Sequence, residues 1–294
     1  MNSPAPNSPA PAADRFWFPV IDEHRLRLVR MTHVVIAGLY FISCFPDASV
    51  WFGDRGWIGG RRLAEFIDAA DLGTQVRAYV SPLWLFESLN VVQLTLLWGG
   101  ALSAVVIAVD FFRRDTWLRI VVPALWLTFL SVANRYLMLA GPTEALLSLS
   151  LFVIVIASLP RTGSSWVGLG VRVLSLQWTI VSAAVTLGTL RSQVWWDGTG
   201  AFALAEPTGL RAVDWTQGVL NTTWVHDTLT LMLAFALPVG AIMVWIPTTR
   251  RLGIGLALLW SVLLAAIGSR WIDGMVMAAG AVTFTTLREP SRDG

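Results

Sequence analysis

A few ionisable side chains lie inside or beside the long apolar stretches of this chain, and they are the groups that could do chemistry there. Arg135 follows Ser131 and Asn134 near the end of one stretch, and the three side chains fall on one side of a helix. Glu144 opens the next stretch. Charged groups at membrane depth are costly, so each is a candidate for function. We expect Arg135 to bind an anionic headgroup or a carboxylate, and the acid to orient it or carry a proton.

Each of these side chains also has an ordinary structural interpretation. Arg135 could reach the outer interface with its long stem, because the apolar stretch ends within a few residues. Glu144 lies where a helix starts, and the helix dipole favours a carboxylate there. Glu87 opens an earlier stretch with Asn90 on the same side, and it is a second acid that could pair with Arg135. Both interpretations stay open for all three charged residues.

Two further pairs combine an acid with a base. Arg270 and Asp273 lie three residues apart, so they could form a local ion pair on one helix face or face a substrate together. His226 and Asp227 are adjacent at the start of another apolar stretch, and a His–Asp pair can do acid–base work. Adjacent residues on a helix point in different directions, so adjacency alone does not make His226 catalytic.

The composition places these groups in a membrane protein. The chain has 294 residues, of which 55% are hydrophobic and 14% charged, whereas soluble domains are about a quarter charged. The scattered basic residues form no stripe that would bind nucleic acid. The single cysteine and the three histidines lack the spacing of metal ligands, so we expect no metal site.

The apolar stretches predict an all-α polytopic membrane protein, a bundle of seven to eight transmembrane helices with two longer outer loops. The predicted spans are 31–46, 84–109, 117–139, 144–160, 172–190, 228–247, 252–268 and 271–287. The last two could instead be one broken helix. Residues 61–72 in the first outer loop favour a helix on the membrane surface. The second outer loop, 191–225, is rich in tryptophan, which is typical of the headgroup layer.

Composition also divides the chain into three parts and orients it. Residues 1–14 predict a disordered tail, residues 15–287 a single transmembrane helical domain, and residues 288–294 a short cytoplasmic tail. Most arginines fall on the cytoplasmic side if the N-terminus is cytoplasmic, so we expect a multi-pass plasma-membrane protein with both termini inside. All 21 basic residues are arginine, a bias typical of GC-rich bacteria.

One segment resembles a known family. Residues 171–205 read VRVLSLQWTIVSAAVTLGTLRSQVWWDGTGAFALA, a helix and a short polar linker followed by Trp195, Asp197, Gly198 and a run of small residues. This pattern resembles the most recognisable stretch of the HTTM domain family, the membrane domain of the vitamin K-dependent γ-carboxylase and its bacterial relatives. The tryptophan would anchor the turn at the interface, and the glycine would let the backbone reverse or approach a neighbour.

Two other segments extend the resemblance. The run GLYFISCFPDASVWFGDRGWIGG, which starts at Gly38, is similar to the family's first helix and its following loop. Residues 131–160 are similar to its middle, where a polar helix end precedes an acid that opens the next helix. The resemblance covers most of residues 24–287, and it implies that the domain over residues 15–287 is HTTM-like, with its active face toward the outside.

The resemblance also implies an activity from which this sequence departs. The carboxylase branch oxidises a reduced quinone to drive carboxylation of peptide glutamates, and it uses a lysine base shortly before the Trp-x-Asp-Gly region. The matching place here is 189–191, and the chain contains no lysine. Arg191 stays protonated and cannot simply replace that base. The family's last helices tend to carry a histidine, which the region 264–275 lacks. Both departures argue against quinone-driven carboxylation.

Three classes of function remain. The first is an HTTM-type protein that modifies or exports a peptide, or handles a lipid-soluble quinone, in a pocket between the second and fifth spans. The second is a non-enzymatic membrane partner, such as an immunity, assembly or scaffold subunit, which the missing base favours. The third is a small-molecule transporter, which needs a polar pathway across the full depth of the bundle. The candidate pocket residues are Glu87, Asn134, Arg135, Glu144, Asp197 and His226.

Overall fold

The structure, a computed structural model, describes residues 16–19, 21, 23–53, 89–135, 142–158, 164–205, 222–268 and 270–287. Over these residues the chain is helical, and an isolated bridge between Ile21 and Leu287 is the sole β-type pairing. Helices α1 to α11 are Glu23–Cys44, Ala48–Phe52, Leu89–Phe111, Asp115–Arg135, Pro142–Ser158, Ser164–Arg191, Gln193–Trp196, Gly200–Ala205, Thr223–Met243, Arg250–Gly268 and Trp271–Thr283. A 3₁₀ turn, Phe284–Thr286, follows α11.

The chain is an all-α polytopic membrane protein. Six of the described helices are long and apolar enough to cross a membrane, namely α1, α3, α4, α6, α9 and α10. Helices α5 and α11 have 17 and 13 residues, whereas a span needs about 20. The fold class predicted from the sequence is confirmed, while a count of seven or eight spans requires that one or both of these shorter helices cross as well.

The lengthwise helices α1, α3, α4, α5, α6, α9, α10 and α11 alternate in direction, so the bundle has two ends. We call the end that holds the start of α1 the basal end, and the end that holds the starts of α5 and α11 the distal end. Ile21 and Leu287 meet at the basal end, where Arg25 also donates to the Thr285 carbonyl at 2.8 Å. Both ends of the described chain therefore lie on one side of the bundle, and their cytoplasmic location stays a prediction.

Helix α11 occupies the middle of the bundle, although it is the shortest of the lengthwise helices described. It contacts α1, α5, α6 and α10, and most of its residues are buried. Helices α10 and α11 form an antiparallel hairpin, so 252–287 is not one broken helix. At Gly274 a Cβ would lie only 2.5 Å from the Ser261 carbonyl oxygen, which shows how closely the two backbones approach.

Two buried tryptophans hold neighbouring helices together. The Trp178 side chain is 0% exposed and donates its indole N–H to the Met277 carbonyl at 2.9 Å. Gly280 leaves room for this ring, because a Cβ there would lie 2.2 Å from Trp178 Cδ1. Trp260 donates to the Leu233 carbonyl at 2.8 Å. A buried indole needs such a partner, and each bond ties one helix to the next.

A buried carboxylate joins α1 to α3 at the basal end. Asp110 is 2% exposed, and its Oδ2 lies 3.3 Å from Arg27 Nε, while Arg30 pairs with its other oxygen. Arg27 also donates to the Asp110 backbone carbonyl at 2.6 Å. The pairing lets α1 begin at Glu23 and include its arginines, so the predicted start of the first span at residue 31 is wrong.

The predicted start of the fifth span is wrong for a similar reason. Helix α6 begins at Ser164 rather than at 172, and Arg172 lies within it. Its guanidinium donates to the Phe16 carbonyl at 2.8 Å and lies 4.3 Å from the centre of the Phe16 ring. The tails 1–14 and 288–294, the surface helix 61–72 and parts of several predicted spans lie outside the described residues.

Two glycines on α10 provide a test of the α9–α10 packing. A Cβ at Gly253 would lie 2.7 Å from Val244 N and 2.9 Å from the Gly240 oxygen, whereas a Cβ at Gly255 meets nothing within 4 Å. We expect Gly253→Ala to lower the free energy of unfolding by about 1–3 kcal/mol because backbone atoms must shift. Gly255→Ala should change it by less than about 1 kcal/mol. Thermal unfolding in detergent measures both, and equal stabilities would contradict this close approach.

The Asp110 ion pairs provide a second test. Asp110→Ala leaves two guanidinium groups without their carboxylate, and we expect a loss of about 2 kcal/mol of stability. A fully buried pair would lose about 3–5 kcal/mol, but the Arg27 side chain is 33% exposed. The control Asp197→Ala removes an exposed carboxylate and should stay within about 0.5 kcal/mol of wild type. Denaturant or thermal titration compares them, and a neutral Asp110→Ala would refute the role assigned to this carboxylate.

Candidate functional site

Helices α5 and α11 begin well inside the bundle rather than at its distal surface. Near the start of α5, the Ala145 carbonyl accepts a hydrogen bond from Gln177 of α6 at 3.3 Å. Met277, near the start of α11, is bound by Trp178 of the same helix α6. Helix α6 continues to Arg191, roughly 20 Å further at about 1.5 Å per residue. The two recessed helix starts leave a space between the longer helices around them.

This space is a cavity of about 340 Å³, which we call the distal cavity. Its volume lies at the lower end of the range of about 300–1,000 Å³ that is typical of small-molecule sites. Its apolar walls are formed by Val185, Leu204, Leu233, Trp260, Leu264 and Met277. Its polar groups belong to Thr143, Glu144, Thr189, Trp195, Arg270 and Asp273. The cavity can therefore hold a molecule that has both an apolar and a polar part.

A threonine joins the acids of the two recessed helix starts. Thr143 Oγ1 donates to Asp273 Oδ1 at 2.6 Å and lies 3.2 Å from Glu144 Oε2. A hydroxyl has one hydrogen, so it can donate to one carboxylate at a time. Each acid also lies in the first turn of its helix, where the helix dipole favours negative charge. The contact brings a carboxylate of α5 and one of α11 to the same wall of the cavity.

Arg270 lies at the turn between α10 and α11 and does not form the local ion pair that the sequence suggested as one alternative. The ion pairs between described residues join Asp110 to two arginines and His226 to Asp227. Asp273 instead accepts from Thr143, and Arg270 and Asp273 both line the distal cavity. The exposed Arg270 guanidinium is bound by no described residue, so it is available to a ligand.

The motif around Gly198 forms the turn between α7 and α8. Gly198 has a φ of +77°, a left-handed conformation that favours glycine. Thr230 of α9 donates to the Gly198 carbonyl at 2.9 Å and accepts from the Ala201 N–H at 3.0 Å. The turn is thereby attached to α9, and its position determines where the neighbouring tryptophan lies.

Trp195 and Asp197 of this motif have different surroundings. The Trp195 ring packs on Gly200, where a Cβ would lie 2.3 Å from the ring, and it lines the cavity. Asp197 is exposed, follows the end of α7 and does not line the cavity. The structure therefore brings one of the two candidate side chains to the site.

His226 also lies away from the cavity lining. Its Nδ1 is 3.4 Å from Asp227 Oδ1, and the Asp227 side chain is 64% exposed. Its Nε2 is buried and finds no partner among the described residues, and its ring forms a T-shaped pair with Phe202 at 6.4 Å between the ring centres. The described part of the chain holds no group of three side chains that could bind a metal ion. His226 is thus separate from the acids of the distal cavity.

Three further candidates, Asn134, Arg135 and Glu87, lie at or beyond the limits of the described residues. Asn134 and Arg135 end helix α4, but their side chains lie outside the described part of the structure, as does all of Glu87. The distal cavity lies between α5, α6 and the helices α7 to α11, and α3 and α4 contribute none of its lining. The predicted location between the second and fifth spans is therefore not where this cavity lies.

Thr143 and Trp260 were missed by reasoning from the sequence. Each is a single polar or amphipathic side chain next to apolar neighbours, which is also common in helices without any site. A hydroxyl beside an acid at a helix start was the available signal for Thr143. Nothing in the sequence shows that Trp260 meets the starts of α5 and α11, because that depends on how far each helix extends.

Gly198 provides a test of the turn that positions Trp195. Gly198→Ala places a side chain in the left-handed region, and its Cβ would lie 3.2 Å from Asp227 Oδ1. We expect a stability loss of about 1–2 kcal/mol from this strain. Gly188→Ala, at an ordinary helical position with nothing within 4 Å, is the matched control and should be nearly neutral. Equal melting temperatures for the two variants would show that the turn tolerates another conformation.

Comparison of the chain with protein-family models, with curated proteins and with solved structures finds no match in any of the three. Membership of the HTTM family accordingly stays a prediction from the residues quoted above.

Proposed function

We propose that this protein binds an amphipathic, lipid-soluble ligand from the bilayer in the distal cavity. The observation that carries the proposal is the cavity of about 340 Å³ between two recessed helix starts, which combines carboxylates and hydroxyls with apolar walls. A ligand would place its polar group near Thr143, Glu144 and Asp273. The carbon atoms next to that group would contact side chains such as Leu233 and Leu264, and any longer chain would extend into the bilayer.

The proposal keeps the protein within the HTTM type, for which the resemblance implies a lipid-soluble quinone and a peptide at the outer face. Carboxylation itself is not part of it, because the chain has no lysine and the lining includes no histidine. The acidic side chains of the lining are Glu144 and Asp273. Any chemistry in the cavity would therefore depend on carboxylates.

A non-enzymatic partner or scaffold is the second candidate, and the absence of lysine favours it. Such a protein would need no ligand in the cavity and would copurify with another polypeptide. A transporter is less well supported. The polar groups of the distal cavity lie at one end of the bundle, whereas transport requires a polar pathway across its full depth.

Filling the cavity tests the proposal. Val185→Phe adds volume to the lining, while Val173→Phe makes the same change on the exposed face of the same helix, α6. Native mass spectrometry of gently purified protein, with extraction and identification of bound small molecules, compares the variants with wild type. We expect wild type and Val173→Phe to carry a ligand, and Val185→Phe to bind it about tenfold more weakly.

Two outcomes would overturn the proposal. Wild-type protein that carries no small molecule, together with a copurified polypeptide in all three forms, would favour the partner or scaffold. Equal ligand occupancy in all three forms would show that the ligand binds elsewhere on the bundle. The melting temperature of each variant is measured alongside, and Ala183→Phe at another exposed position of α6 serves as a second folded control.

A further inference from the structure

The charged groups of the distal cavity are of both signs and are kept apart. Glu144 and Asp273 lie on one wall, linked through Thr143, and Arg270 lies at the exposed turn above them. The structure has no ion pair between Arg270 and Asp273, although both are described. A ligand that carries charges of both signs could therefore be bound by the arginine and by the acids at the same time.

The charges also differ in depth. Asp273 is three residues further into the bundle than Arg270, or about 4.5 Å along a helix axis at about 1.5 Å per residue. Thr143 and Glu144 lie at the level of Asp273, as the 2.6 Å hydrogen bond from Thr143 shows. The positive group is thus nearest the distal surface and the negative groups are deeper. A matching ligand presents its cation first and its anion last as it enters.

Trp260 and Met277 line the distal cavity below the acids, and these two side chains suit an organic cation. The Trp260 ring is 5% exposed and is held in place by its hydrogen bond to the Leu233 carbonyl. The ring lines the cavity, and tryptophan provides the best cation–π contact among the aromatic side chains. Met277 supplies a polarisable sulfur beside it. A substituted ammonium group would meet carboxylates on one side and an aromatic ring on the other.

We infer that the ligand is zwitterionic, with an ammonium group held by Glu144, Asp273 and the Trp260 ring, and a phosphate held by Arg270. This inference rests on the proposed function, since it concerns the same cavity. The planar guanidinium of Arg270 can form two parallel hydrogen bonds to a phosphate. Phosphate followed by an amine is the headgroup of an ethanolamine phospholipid, whose acyl chains would stay in the surrounding bilayer.

The test measures lipid binding to the full chain by native mass spectrometry. The probes share their acyl chains and differ in the headgroup: phosphatidylethanolamine, phosphatidylglycerol, and a cationic lipid with an amine and no phosphate. The variants are Arg270→Gln and Asp273→Asn, and the asparagine oxygen can still accept from Thr143, so the bridge between α5 and α11 is kept. The matched controls are Arg191→Gln and Asp197→Asn, which change exposed charges outside the lining.

We expect wild type to bind phosphatidylethanolamine about tenfold more tightly than either other lipid. Each cavity variant should weaken that binding about tenfold, and each control should leave it within about twofold. Arg270→Gln should leave the cationic lipid unaffected, and Asp273→Asn should leave phosphatidylglycerol unaffected. Soluble glycerophosphoethanolamine forms a separate arm, and binding as tight as that of the lipid would identify a soluble zwitterion as the ligand and refute the lipid.

Other outcomes separate this inference from the function on which it rests. Binding of a neutral quinone that neither charge variant alters, but that Val185→Phe abolishes, would refute the zwitterion and keep the proposed function. Equal binding of phosphatidylglycerol and phosphatidylethanolamine, sensitive to Arg270→Gln alone, would reduce the site to an anion site. No binding of any probe, with an empty wild-type protein, would refute both.

Discussion

A helix that starts inside a membrane leaves backbone N–H groups without partners, and the described structure depends on how this problem is solved. The first four N–H groups of a helix have no acceptor within it, and lipid offers none. Helices α5 and α11 both start deep in the bundle, and both starts border the distal cavity. Acids in the first turns complement the positive ends of the helices. The cavity and its carboxylates are therefore two results of one constraint.

At the basal end, by contrast, a buried carboxylate and a carbonyl are bound by arginines of the chain itself. There, Asp110 is enclosed by arginines of α1, and Arg250 donates to the Leu287 carbonyl at 3.2 Å, so this carboxylate and this carbonyl are paired within the chain. At the distal end Arg270 is left unmatched by the described residues. These basal groups are held within the chain, whereas the exposed guanidinium of Arg270 lies beside the distal cavity.

The sequence was sufficient for the fold class because the apolar stretches admit no soluble alternative. It also picked out Glu144, Arg270 and Asp273, since ionisable residues are rare enough there to be noticed individually. It could not place them together, because the depth at which each helix begins is set by contacts such as Trp178 on Gly280. For the same reason, the sequence analysis placed the starts of α1 and α6 at later residues than the structure does. Arginines in these segments are typical of the membrane boundary, and the sequence alone does not show that they bind Asp110 and the Phe16 carbonyl.

The central position of α11 has a consequence for biosynthesis. Helices α1, α5, α6 and α10 all contact it, yet all of them leave the ribosome first. During translation the earlier helices are therefore inserted before the helix that packs between them has been made. Insertion of α11 supplies Asp273 and the remaining wall, so the distal cavity is completed at a late step of synthesis. A nascent chain that stops before this helix would be inserted in the membrane but would lack Asp273 and Met277 of the distal cavity.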